Sequence, residues 1–228
     1  TRGICDHLIR SGLPASRIVH IGNFVDTPAA DSLEKITGLR RRLDITEDSL
    51  VLLAVGRFHP VKGFADLLTA FSMVGGAIRG RSLTLVIVGD GPLQETLHRY
   101  ARQLGINRRV RWAGWQLDPH SYYGLADLVV CPSHHETLGN VILEAWAHCR
   151  AVLATQTVGA MELAADDSPS WTVPAQDPRA LCDGIRRLLE DDSLRGDLAA
   201  SGRRKVDDHY SQQQIVGAYL DFYQRLAG

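Results

Sequence analysis

The sequence predicts an α/β domain built on a doubly wound parallel sheet. Three observations lead there. Short apolar runs recur along the 228 residues without alternating polar positions, as strands buried on both faces do. Longer amphipathic stretches separate the runs, so strand and helix alternate. Most of the runs end directly at a glycine or a proline, the residues that punctuate a strand-to-helix turn.

In chain order, residues 4–13 read as the last turns of a helix. Residues 18–21 read as a short strand, followed by a turn at Gly22-Asn23. Residues 26–46 are polar and basic and read as a surface loop with a short helix. The runs at 50–55, 83–88, 110–113, 128–131, 151–154 and 171–173 read as strands of the sheet. Phe64, Leu67, Leu68 and Phe71 fall at i, i+3, i+4 and i+7, one face of a helix. Leu93, Leu97, Tyr100, Ala101 and Leu104 make a second face. A third comprises Leu138, Val141, Ile142, Ala145, Trp146 and Cys149, and a fourth Leu181, Ile185, Leu188 and Leu189. Residues 215–226 predict a final helix with aromatics at Tyr219, Phe222 and Tyr223. The chain has no internal repeat and no low-complexity tract. Sheets of this kind bind ligands at the carboxyl ends of their strands, so chemistry is expected in the loops after residues 55, 88, 113 and 131.

Composition narrows the function classes. Apolar residues make up 45%, enough for a sizeable core, and the formal net charge is −1. That balance points neither to nucleic acid nor to disorder. No apolar run approaches the roughly 20 residues that span a bilayer, so a soluble domain is expected. Cys5, Cys131, Cys149 and Cys182 stand far apart with no CxxC or CxxH pair, which argues against zinc. Cys131 and Cys149 read as small core residues, in keeping with a reducing cytosol.

Three motifs carry chemistry. The first, Gly56-Arg57-Phe58-His59-Pro60-Val61-Lys62-Gly63, lies between a predicted strand and a helix. Backbone amides and a helix start already favour anions there. The planar fork of Arg57 and the mobile charge of Lys62 suit a diphosphate; the alternative is a loop with two solvated cations. The second, Gly89-Asp90-Gly91-Pro92, reads as a tight turn into a helix and lacks the full GxGxxG spacing. The third runs from Pro132-Ser133-His134-His135 to Glu144-Ala145. Its helix should begin near Leu138 or Gly139, leaving the amides of Gly139, Asn140 and Val141 to point outward with Glu136 on one side and Glu144 on the other. One carboxylate can accept hydrogen bonds from sugar hydroxyls and the other from ribose. Alternatively, Glu136 acts electrostatically on the helix start and Glu144 is solvated. Adjacent His134 and His135 point in different directions, which makes joint chelation of a metal awkward; they read as loop residues that shape the pocket. His59, beside Arg57, is a weaker phosphate candidate.

Taken in order, Gly56-Arg57 with Lys62-Gly63, Val88-Gly89-Asp90-Gly91-Pro92, Ala126-Asp127 before Pro132-Ser133, and Glu136 paired with Glu144 across seven residues resemble the retaining GT-B glycosyltransferases. The nearest type is the group 1, or family 4, set of bacterial enzymes that use UDP-, GDP- or ADP-sugars. The resemblance covers residues 18–223. It implies that the Rossmann-like sheet is one half of a GT-B fold and that the chain takes a nucleoside-diphosphate sugar as substrate with no cofactor and no metal. By position, Gly56, Arg57 and Lys62 match the loop that holds the donor diphosphate, Glu136 the contact to the donor sugar and Glu144 the ribose ligand. Arg57, Lys62 and Glu136 are the catalytic candidates. Thr137, Leu138, Gly139, Asn140 and Val141 match the segment whose amides meet sugar and phosphate. Gly114-Trp115-Gln116 matches the loop along the nucleobase, where Trp115 either stacks on the base or fills the loop. Gly159 and Glu162 fit the place of a further family glutamate, with Glu162 read as structural.

There are departures from the family pattern. Glu136-Thr137-Leu138-Gly139 stands for the commoner Glu-Gly-Phe-Gly, Asn140 for an apolar residue, and Cys149 and Ala151 for a glycine and a proline. These bear on donor-sugar choice. The resemblance also divides the chain. Residues 1–25 match the tail of a missing amino-terminal domain and a linker, with Asn23-Phe24-Val25-Asp26 in the linker's place. Residues 26–209 match the nucleotide-sugar domain, and 210–228 a helix that crosses back. The expected partners are the donor, the missing domain and an acceptor glycan or lipid-linked sugar. The expected place is the cytoplasm, peripheral to the inner face of the membrane through the missing domain. A nucleotide-sugar binding module without catalysis and a non-hydrolysing nucleotide-sugar epimerase are the alternatives. A nicotinamide dehydrogenase is disfavoured because no GxGxxG opens a βαβ unit.

Overall fold

The computed structural model describes residues 1–26, 31–164 and 171–227. Along the chain come α1 (Arg2–Arg10), α2 (Leu33–Arg42), β1 (Leu50–Val55), α3 (Phe64–Val74), β2 (Ala77–Ile78), β3 (Arg81–Val88) and α4 (Gln94–Gln103). Then follow β4 (Val110–Gly114), α5 (His120–Leu125), β5 (Leu128–Cys131), α6 (Asn140–Ala147), β6 (Val152–Thr155), α7 (Val158–Leu163), β7 (Thr172–Val173), α8 (Pro178–Glu190), α9 (Asp192–His209) and α10 (Gln212–Ala227).

Six strands run parallel in the order β4-β3-β1-β5-β6-β7, and short β2 pairs antiparallel with the start of β3. From β1 the chain winds first through β3 to β4, then returns to β5 on the other side of β1. The reversal lies between β1 and β5, and the crevice there is where such sheets place ligands. Both faces of the sheet are covered. Leu50, Leu52 and Ala54 pack with α3, α4 and α8, while Val51 and Leu53 pack with α5, α6 and α9. Continuous apolar runs are thus the signature of a sheet dry on both sides.

Several expectations are corrected. Residues 18–21 form no strand. They run irregularly toward α10: a Cβ on Gly22 would lie 3.6 Å from Ile215, and Val25 donates its amide to the Tyr210 carbonyl. Val19 is exposed. Helix α6 starts at Asn140 with Gly139 as its left-handed cap. It ends at Ala147, so Cys149 lies beyond it at φ +52° and is exposed rather than part of the core; Cys131 is buried as expected. The short helix expected within residues 26–46 is present as α2, with positions 27–30 outside the described residues. α5, α7, α9 and β2 had no counterpart in the sequence reading. No helix among the described residues is long and apolar enough to cross a membrane.

α1 and α10 differ from the rest of the molecule. α10 buries Ile215 and leaves Val216, Tyr219, Leu220, Tyr223 and Leu226 exposed. α1 buries no residue.

Candidate active site

The loops after β1, β3, β4 and β5 meet at one end of the sheet, and glycines let them meet. Gly63 sits at φ +64° against Pro132; a Cβ there would fall 1.9 Å from the Pro132 carbonyl oxygen. Only glycine fits that backbone-on-backbone approach. Gly89, at φ +133°, lies against Gly56 in the same way, with 2.0 Å between a built Cβ and the Gly56 oxygen. The Gly89-Asp90-Gly91 turn also accepts the Phe58 amide on the Asp90 carbonyl at 2.6 Å, and Phe58 accepts from Leu93 at 3.1 Å. This turn is a bracket that fixes the Arg57 loop. Asp127 is likewise structural: its carboxylate accepts the Val51 amide at 2.7 Å, tying the start of β5 to β1.

The first predicted motif forms two parts of the site. Gly56 and Arg57, with Val55, Val88, Gly89, Asp90, Trp115, Gln116 and Pro119, line a cleft of about 320 Å³. Trp115 is 62% exposed, so its indole face is open, while Gln116 turns back to donate to the Ala113 carbonyl at 2.7 Å. Lys62 leaves the same loop on the other side. Its stem passes Gly56, with Cδ 3.9 Å from where a Cβ would stand, and its ammonium donates to Oε1 of Glu136. The pair joins the loop after β1 to the loop after β5, across the crevice where the strand order reverses.

The 132–139 loop is held from several directions. The amides of His134 and His135 donate to the Val61 carbonyl at 2.8 and 3.4 Å. His134 Nε2 meets the Asp66 carboxylate at 2.6 Å, so this histidine staples the loop to the first turn of α3. Ser133 donates to Glu136 at 3.5 Å, and Thr155 donates to the Ser133 carbonyl. Gly159 donates its amide to the Glu136 carbonyl at 3.0 Å and lies so close that a Cβ would meet the Leu138 oxygen at 2.5 Å. Burial pushes the Cys131 thiol up to about 11, with the Glu136 charge adding to the shift, so it stands in the wall as a protonated thiol.

At the start of α6 the amides of Gly139, Asn140 and Val141 carry no hydrogen bond among the described residues. They are a cluster of unfilled donors beside Glu136, whose Cγ is 3.8 Å from a Cβ built on Gly139. Thr137 and Asn140 are exposed, and Leu138 is partly so. Asn140 accepts from the Asn23 amide at 3.1 Å, which links the amino-terminal segment to the site. Glu144 is half-buried and not simply solvated: it accepts from the hydroxyl of Tyr123. His59 is exposed and accepts the Val61 amide at 3.5 Å. Glu162 accepts from the amides of Arg2 and Gly3 at 2.9 and 3.5 Å, capping α1. The structure therefore brings Arg57 together with Trp115, and Lys62 with Glu136, while Glu144 stands apart with Tyr123. Sequence reasoning missed Tyr123, Asp66 and Ser133. Only the proximity of Ser133 to Glu136 in the chain could have signalled one of them.

Comparison with known proteins follows this geometry. Residues 35–205 match the family model described as glycosyl transferases group 1. The lipopolysaccharide core biosynthesis glycosyltransferase LpsE of Rhizobium meliloti is 34% identical over 200 residues, which is 88% of this chain and 56% of that protein. LpsD of the same organism is 34% identical over 186 residues, 82% of this chain and 52% of that one. The chain thus spans about half the length of the curated relatives it matches. In fold it is similar to Anabaena HepE, solved in complex with UDP and glucose, at TM-score 0.85 and 24% identity over all of this chain and 61% of that one. It also resembles the carboxyl-terminal domain of the group 1 glycosyl transferase LpcC of Francisella tularensis, at TM-score 0.69 and 24% identity over 82% of this chain and 99% of that one. The sheet is therefore the Rossmann-like half of a GT-B fold, and the chain belongs to the glycosyl transferases group 1 family.

Proposed function

We propose that this chain is the donor-binding half of a retaining glycosyltransferase, which moves a sugar from a nucleoside-diphosphate sugar to an acceptor hydroxyl. The observation that carries this reading is the Lys62–Glu136 pair across the sheet's reversal point, beside the unfilled amides at the start of α6. A mobile cation, a carboxylate and free backbone donors in one crevice suit a phosphorylated sugar.

In the intact enzyme the bond between the sugar's anomeric carbon and the β-phosphate oxygen breaks, and charge builds on the leaving phosphate. Arg57, Lys62 and the amides of Gly139, Asn140 and Val141 stabilise that charge where it develops. Glu136 accepts from the sugar's hydroxyls, Glu144 from the ribose, and Trp115 stacks on the base in the cleft beside Arg57. The acceptor hydroxyl attacks from the leaving-group face and gives its proton to the departing phosphate oxygen, so configuration is retained. The acceptor, a glycan or lipid-linked sugar, is held by a second domain to which α10 crosses. Support for that division is the chain's half-length coverage of its relatives and the exposed apolar faces of α10 and α1. The whole protein works at the cytoplasmic face of the membrane.

The test is calorimetric titration of the chain with UDP, GDP and ADP. At least one should bind, and Arg57→Ala or Lys62→Ala should weaken it by about 1.5–3 kcal/mol each, the range for hydrogen bonds to charged groups. Wild-type affinity in both variants would remove the loop from the site.

A further inference from the structure

Outside the loops already described, one buried polar contact joins two helices that both start at the site. Tyr123, on α5, is 1% exposed, and its hydroxyl donates to Oε2 of Glu144 on α6. Both helices are anchored in the site. α5 begins directly after Pro119, which lines the cleft with Arg57 and Trp115. α6 begins at the unfilled amides of Gly139 and Asn140. The contact thus ties the helix behind the Trp115 loop to the helix that carries Glu144.

We propose that Tyr123 is the positioning residue for the nucleoside end of the site: its hydroxyl fixes Glu144 by Oε2, leaving Oε1 as the acceptor for a ribose hydroxyl. This rests on the reading of Glu144 as the ribose ligand.

The surroundings keep both partners in these roles. Burial, then the Glu144 charge and hydrogen bond, hold the phenol well above its ordinary value, so Tyr123 remains a donor at any working pH. The ring of His148 stacks on Tyr123 with centroids 4.9 Å apart and blocks its rotation. His148 is itself held. Its Nδ1 donates to the Glu144 carbonyl at 2.7 Å, because a carbonyl only accepts, and its Nε2 shares a hydrogen bond of 3.1 Å with His120 Nδ1. Burial holds His148 below its ordinary value, which favours the uncharged ring that does not compete for the carboxylate. The phenol takes one acceptor position on Oε2, and Oε1 carries no hydrogen bond among the described residues.

The experiment titrates the full chain and its Y123F, E144Q and double variants with UDP, GDP, ADP and pyrophosphate. Pyrophosphate lacks ribose and reports the diphosphate site alone. Y123F should bind the preferred nucleoside diphosphate about tenfold more weakly and pyrophosphate within about twofold of wild type. Adding Y123F to E144Q should change nothing further, because the phenol acts only through the carboxylate. A structural role would weaken both ligands alike and would persist in the double variant; either result overturns the proposal. If E144Q weakens nucleotide binding and Y123F does not, the positioning role falls and the ribose reading stands. If E144Q itself is neutral toward nucleotides, both fall. Should Y123F fail to fold, Y123M takes its place: it keeps apolar bulk under His148, removes the hydroxyl and leaves Glu144 in the chain. A tenfold loss for nucleotide alone supports the proposal, and wild-type affinity overturns it.

Discussion

Gly63→Ala puts the close contact between the Lys62 and Glu136 loops under direct test. Gly63 has φ +64°, where an alanine costs about 1–2 kcal/mol. Its Cβ would stand 1.9 Å from the Pro132 oxygen and 3.2 Å from the His134 ring, against 3.4 Å for ordinary contact. The Pro132 segment must then retreat by roughly 1.5 Å. That movement stretches the 2.8 Å bond from the His134 amide to Val61 and the 2.6 Å contact of His134 with Asp66. Losing them adds about 0.5–1.5 kcal/mol for the first and 1.5–3 kcal/mol for the second. The expected destabilisation is about 3–6.5 kcal/mol, the sum of these terms with the backbone cost. Displacing Glu136 and the α6 amides from Lys62 on this scale should weaken nucleotide affinity by about ten- to a hundredfold, since a 1 Å misplacement can cost about 10² in rate. Gly105→Ala is the control. It has φ +69° and nothing within 4 Å of a built Cβ, so it carries the backbone cost without the overlap. Urea unfolding and calorimetric titration read both variants. Equal stability loss and equal nucleotide affinity in the two would refute the reasoning, because the overlap would then have been absorbed without moving the site.

Other expectations can be checked in the same preparations. A Cβ on Gly202 of α9 would fall 2.1 Å from the Trp146 indole, so Gly202→Ala should push α9 off α6 and cost about 1–3 kcal/mol, the usual range for overpacking, read as a lower urea midpoint. His148 and His98 lie below their ordinary 6.5, chiefly because burial disfavours the charged ring, and in His148 also because of His120 and Arg150. The unfolded chain therefore takes up protons that the fold excludes. Stability should be full above about pH 6.5 and decline as the pH falls below it. His148→Asn should flatten that slope in urea midpoints taken at several pH values, and an unchanged slope would show that His148 does not contribute.

How much of this was legible in the sequence depends on the kind of force at work. The central strands were readable because burial on both faces removes every polar position, as in β1, where Leu50–Val55 is apolar throughout. Arg57, Lys62, Glu136 and Glu144 could be singled out because each lies in or near a loop at a strand end. The pairing of Lys62 with Glu136 could not, since it depends on which loops the strand order makes neighbours. α9 escaped notice because it buries only Gly202 and Val206 and so has almost no apolar period. Residues 18–21 were misread for the opposite reason: they are apolar enough for a strand, but Val25 is hydrogen-bonded to Tyr210 and no sheet edge reaches them. Tyr123 was invisible because α5 is a six-residue helix with no periodicity to expose a face.

The two glutamates, equivalent in the sequence pattern, are held by opposite means. Glu136 is paired with Lys62, a mobile cation that a diphosphate would also attract. Under the proposed function, donor binding therefore exchanges one partner of Lys62 for another, and the carboxylate released from it gains freedom to accept from a sugar hydroxyl. That exchange involves two groups only partly screened from water, so neither is left as a buried bare charge. Glu144 is held by the neutral phenol of Tyr123, which a nucleotide has no electrostatic means of withdrawing. Under the proposed function it therefore keeps its position when the donor arrives. A ligand that approached diphosphate first would thus meet a responsive pair at Lys62 and Glu136 and a fixed acceptor at Glu144. On the proposed reading, the fixed end would set register along the ribose and the responsive end would accommodate sugars of different shape, where this chain's Glu136-Thr137-Leu138-Gly139 departs from the commoner family sequence.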